Sequence, residues 1–110
     1  MNRTIDLQPE HRSIVLDILR AHLPPEAKVW VFGSRASGRA RRGSDLDLAI
    51  DLGGQLPADT EYALSFAFED SDLPWTVDVL DWWSVEDGIF RQNVESERVL
   101  LDWRGGEDGE

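Results

Sequence analysis

A Gly-Ser pair, followed after a ten-residue gap by two aspartates one residue apart, constrains this chain more than anything else in it. The stretch runs Val31-Phe32-Gly33-Ser34, through an arginine-rich segment, to Asp45-Leu46-Asp47-Leu48-Ala49-Ile50. An apolar run enters a small, flexible turn able to approach a phosphate closely. A second apolar run then carries the two carboxylates. On a strand, positions i and i+2 share a face, so Asp45 and Asp47 are set side by side and repel unless a cation lies between them. Hard oxygen donors of this kind suit Mg²⁺, which also binds nucleotide phosphates.

The arginines are unevenly placed. Arg35, Arg39, Arg41 and Arg42 all fall between the Gly-Ser turn and the aspartates, whereas the other segments are mostly acidic. Basic groups beside a carboxylate pair suit a nucleoside triphosphate, and on this reading Arg35 and Arg42 contact its phosphates. A solvated arginine-rich loop is the alternative. The net charge of −11 argues against general binding to nucleic acid through phosphate neutralisation, and the acidic surface is suited instead to a basic protein partner.

With 110 residues the chain fits one domain, and 41% hydrophobic residues are enough for a core. There is no cysteine, so disulfide and thiolate chemistry are excluded, and two isolated histidines, His11 and His22, make a poor zinc site. No signal-peptide pattern opens the chain and no apolar run is long enough to span a bilayer, so a cytoplasmic location and no membrane partner are expected.

Helical and extended patterns alternate along the chain. Helices are predicted over 7–23, ended by Pro24-Pro25, over 57–70, and over 84–101, the last capped by Ser84 with Asp87 three residues on. A weak short helix is predicted over 34–40. Strands are predicted over 28–32, 45–52 and 76–82. The fold class is therefore α/β: a small mixed sheet with helices packed mainly on one face and the other left for a site. Residues 1–102 are assigned to the domain and 103–110 to a disordered, Gly-rich acidic tail.

Asp78 completes the constellation. It interrupts the apolar run Val77-Asp78-Val79, where a charge is costly unless its face meets solvent or a cation. If its strand neighbours that of Asp47, the three carboxylates can hold divalent metal and clamp the attacking and leaving oxygens of a displacement at phosphorus. Asp78 can also accept a proton from an incoming hydroxyl. Asp51 and Asp81 read as solvated strand-end residues. Tyr62, Trp30, Phe32 and Trp82 read as packing residues, and an exposed cluster among Trp75, Trp83 and Trp103 would point to a protein interface.

Gly33-Ser34, Asp45-x-Asp47 and Asp78 within Val-Asp-Val together resemble the DNA polymerase beta-like nucleotidyltransferases. The run Gly-Ser-Arg-Ala-Ser-Gly-Arg-Ala is most similar to the minimal nucleotidyltransferase (MNT) antitoxins paired with HEPN-domain toxins. The resemblance is strong over 28–82. It implies a polymerase beta-like fold, Gly33 and Ser34 as phosphate-binding residues, Asp45 and Asp47 as Mg²⁺ ligands, and Asp78 as the third acidic residue. It also implies ATP as substrate and transfer of AMP to a hydroxyl, in antitoxin members a tyrosine of the HEPN toxin. The alternatives are an antitoxin that neutralises by binding alone and a transferase acting on a small molecule.

Overall fold

A computed structural model describes residues 5–104. Helix α1 spans Pro9–His22, with proline at its start, and Glu10 in its first turn and Arg20 in its last are charges that complement the helix dipole. It ends before Pro24-Pro25, which cannot continue it. Strand β1 (Lys28–Phe32) leads into a one-turn helix α2 (Ser34–Ser37), then β2 (Leu46–Asp51), α3 (Ala58–Glu69), β3 (Val77–Asp81), a 3₁₀ turn (Trp82–Ser84), α4 (Ile89–Glu97) and β4 (Val99–Leu101). Among the described residues, no helix is long and apolar enough to cross a membrane.

The sheet order is β3-β2-β1-β4. β1 pairs antiparallel with both β2 and β4, while β2 and β3 are parallel, joined across the intervening α3. The sheet is mixed, as expected. One face is aliphatic: Val29, Val31, Leu46, Leu48, Ile50, Val77 and Leu101 pack beneath Val15, Leu16 and Leu19 of α1 and Leu64 and Phe68 of α3. The other face carries Trp30, Phe32, Ala49 and Leu80 with Trp82 and Val94. Arginines of α4 and the residue after it hold this second face: Arg91 lies 4.0 Å over the Trp82 ring and Arg98 4.0 Å over Trp30. Between them the two faces bury Leu48, Ala49 and Ile50 completely, the pattern of a central strand.

Three expectations need correction here. The predicted helix over 84–101 is two elements. Gly88, at φ +150°, begins α4 without a side-chain cap, and Ser84 closes the preceding 3₁₀ turn instead. Val99-Leu100-Leu101 is a strand on the open edge of β1. Leu101 is buried and Leu100 exposed, and so short an apolar run does not reveal its period from sequence. The boundary at 102 falls too early, because Trp103 is 3% exposed, packs in the aliphatic core and donates its indole N–H to Ala27 O at 3.0 Å. Arg20 Nε also donates to Trp103 O. The rest of the predicted tail, 105–110, lies outside the described residues. Finally, Tyr62 does not pack: it is 76% exposed on α3, as Phe66 is at 57%.

Candidate active site

Parallel pairing of β2 with β3 sets Asp47 directly opposite Asp78. Residues opposite each other in register present their side chains to the same face, here the α4 side of the sheet. The aliphatic residues Leu46, Leu48 and Ile50 alternate with Asp47 and occupy the covered face, so burying them forces Asp47 to the other. Asp45 stands just before β2 and is exposed, as is Asp78, whereas Asp47 is partly buried.

The electrostatics follow from this placement. The Asp47 carboxyl is pushed up to about 6, first by burial, then by the charge of Asp78 and a side-chain hydrogen bond with it, and last by Asp45. No N–H or hydroxyl donor reaches Asp45, Asp47 or Asp78 among the described residues. Nor do three acidic or histidine side chains there stand closed around one point. Asp47 and Asp78 meet as a pair, with Asp45 at their approach. Carboxylate oxygens that repel one another and receive no N–H or hydroxyl donor among the described residues are hard ligands of the type a divalent cation takes.

Gly33 forms the other wall. It joins β1 to α2 at φ +76°, ψ −156°, a conformation that favours glycine, and a Cβ there would collide with the Asp47 carboxylate. Ser34 follows as the first residue of α2. The Gly33 amide donates to Glu97 Oε1 at 3.2 Å. Sequence reasoning missed Glu97, which is separated from Gly33 by most of the chain and belongs to no motif that flags it.

Of the seven expected site residues, Asp47 and Asp78 meet in register, Gly33 abuts Asp47, and Ser34 and Asp45 follow or precede them in the chain. Arg35 is turned inward, against expectation. It is 6% exposed, and its guanidinium donates to Ser44 O at 2.9 and 3.0 Å, Asp6 O at 2.9 Å and Arg42 O at 3.3 Å, with its face 4.4 Å over Trp75. Its donors are spent on carbonyls, which fixes the loop ahead of Asp45 against the chain before α1. Arg42 is exposed and, with Arg41 and His11, lines a cavity of about 690 Å³ whose walls include none of Gly33, Ser34, Asp45, Asp47 and Asp78. The two aspartates expected to be solvated are bonded. Asp81 is 5% exposed and accepts from Leu56 N at 3.0 Å and Trp83 N at 3.1 Å, and Asp51 accepts from Gly53 N at 2.8 Å and Trp83 Nε1 at 2.6 Å.

Residues 15–103 match the family described as "Polymerase beta, Nucleotidyltransferase". The chain is 41% identical over 97 residues to the probable protein adenylyltransferase MntA of Haemophilus influenzae, covering 88% of this chain and 83% of that protein. Its fold is similar to a toxin–antitoxin crystal structure with AMP-PNP, at a TM-score of 0.65 and 25% identity, over 88% of this chain and 76% of the other. Two variants of an MntA–HpeT toxin–antitoxin pair share the fold at TM-scores of 0.63 and 0.64 and identities of 22% and 24%. They cover 88% and 93% of this chain and 75% and 77% of theirs.

Proposed function

The chain belongs to the polymerase beta nucleotidyltransferase family, and on that premise we propose that it transfers AMP from ATP to a tyrosine hydroxyl of a HEPN-type partner toxin, acting as its antitoxin. The observation that carries this reading is the in-register meeting of Asp47 and Asp78 beside Gly33. The naming of the Haemophilus relative as a protein adenylyltransferase, and the toxin–antitoxin structure with AMP-PNP, support it.

Each residue then has a task. Gly33 lets the backbone approach the polyphosphate, and its amide exchanges Glu97 for a phosphate oxygen. The Ser34 hydroxyl is a further donor to the phosphates. Asp45, Asp47 and Asp78 would hold Mg²⁺, which when bound neutralises the polyphosphate and stabilises charge developing at phosphorus. Asp78, exposed at the edge strand, accepts the proton of the incoming hydroxyl. The acceptor oxygen bonds to the α-phosphorus, the bond from that phosphorus to the bridging oxygen breaks, and pyrophosphate leaves with the electron pair.

The test is incubation of the purified protein with α-labelled ATP, Mg²⁺ and the product of the neighbouring gene. Label is expected on a tyrosine of the partner and absent with Asp45→Asn/Asp47→Asn. Full neutralisation of the toxin by that double variant, without labelling by the unaltered protein, would replace the reading with inhibition by binding alone. Label confined to small hydroxyl compounds would replace it with a small-molecule transferase.

A further inference from the structure

One side of the candidate site is continuous with a groove that the nucleotide chemistry does not use. A depression of about 610 Å³ runs between α3 and β3, and its walls include Tyr62, Phe66, Glu69, Trp75 and Asp78. Among the described residues β3 is an edge strand that pairs with β2 alone, and such an edge is a template for an extended segment. On α3, Tyr62, Phe66 and Glu69 follow at helical spacing, so they form one stripe along the groove. Two aromatic rings that are 76% and 57% exposed on a single stripe are the composition of an interface core.

Charge decides what fits. Between Arg42 and Arg91 the chain contains no lysine, arginine or histidine, and this interval supplies β2, α3, β3 and the turn after it. Asp59 and Glu61 stand in the first turn of α3, no basic residue stands in its last, and Glu69 and Asp78 are on the groove itself. A second copy of this chain, at −11, brings like charge to like, and nucleic acid brings phosphate to carboxylate. A basic protein segment is the occupant that such a groove attracts.

We propose that this groove docks the acceptor: a lysine- and arginine-rich extended segment of the partner protein, laid along β3 so that its hydroxyl-bearing residue ends at Asp78. The inference rests on the function proposed above and adds the surface and the chemistry by which the acceptor is chosen. The apolar faces of Tyr62 and Phe66 pack against the segment, and Glu69 pairs with one of its cations.

The probes are two fluorescein-labelled peptides, each with one central tyrosine, flanked by lysine and arginine in one and by aspartate and glutamate in the other. Binding is read by anisotropy at physiological salt, and AMP transfer with Mg²⁺-ATP by mass. The basic peptide is expected to bind about tenfold tighter or more. Glu69→Lys places a cation where the end of α3 tolerates one and is expected to bring the two affinities to within about threefold. Phe66→Ala weakens the basic peptide about fivefold, while Glu26→Lys, exposed and remote from the groove, keeps the original ratio. Equal affinities, or a preference that Glu69→Lys and Phe66→Ala leave intact, overturn the inference. A dimer seen in sedimentation and abolished by Phe66→Ala overturns it too, by making a second copy the occupant. Basic-peptide binding that obeys these variants without any AMP transfer sinks the proposed activity but leaves the docking surface standing.

Discussion

The β2–β3 pair carries acidic residues at both of its ends, and the ends differ in one respect. At the far end, Asp81 is nearly inaccessible but accepts two backbone amides, and Asp51 accepts an amide and an indole N–H. At the near end, Asp47 and Asp78 face each other with no N–H or hydroxyl donor reaching them among the described residues, and the Asp47 carboxyl is pushed up to about 6. A buried carboxylate with its amides in place is a structural fastening. A pair left to repel is an arrangement that costs stability, which marks chemistry more surely than burial does. Donor supply, rather than depth or residue type, separates the proposed working end from the anchored end.

The sharpest way to break this contrast is to neutralise one residue at each end. Asp47→Asn should lower AMP transfer by about a thousandfold, the scale of losing a group that places charge at the transition state, with the fold retained by circular dichroism. Transfer within about tenfold of the original would remove Asp47 from the machinery. Asp81→Ala should do the reverse. Orphaning the amides of Leu56 and Trp83 should cost about 3 kcal/mol in urea denaturation, while the activity of the protein that stays folded is kept. If Asp81→Ala instead abolished activity without loss of stability, the two ends would not be distinct.

A smaller effect is expected at Gly33. Gly33→Ala must strain a left-handed backbone and turn the Asp47 carboxylate aside. We expect about 1–3 kcal/mol of destabilisation and a drop in transfer of at least about tenfold, checked by melting and a labelled-ATP assay on one preparation. A fully active Gly33→Ala protein would show that nothing needs to approach the backbone there.

The smallest effect concerns pH. The folded-state pKa of Asp47 lies above its unfolded value of 3.8, so the folded chain binds that proton more tightly. The resulting stabilisation is fully present below about pH 4 and is lost as pH rises through about 6. Because Asp47 is only half buried, solvent screening reduces the contribution to the order of 1 kcal/mol. Melts of the unaltered protein and Asp47→Asn should therefore converge in acid and separate near neutrality, with the asparagine variant the more stable. Parallel curves across that range would show that the repulsion is relieved elsewhere.

Much of this was legible in the sequence because it is local. The Gly-Ser turn, the alternation of Asp47 with Leu46, Leu48 and Ile50, and the isolated charge in Val77-Asp78-Val79 each report their own strand and face. Arg35 was not legible: an arginine beside a phosphate turn and an arginine bonded to three distant carbonyls look alike in sequence. The same holds for β4, whose three residues become a strand only because the edge of β1 needs a partner. Asp81 and Glu97 were hidden for a related reason, since the amides they satisfy belong to residues 25 and 64 positions away.

Trp103 has a practical consequence for handling this protein. Its indole bolts the chain that follows the last strand onto Ala27, and its carbonyl receives Arg20. Trimming at residue 102 would thus withdraw a wedge from the interior rather than remove a loose end. Because this ring is enclosed while that of Trp83 stands half open to solvent, an aqueous quencher should dim Trp83 first and reach Trp103 only when the whole molecule opens.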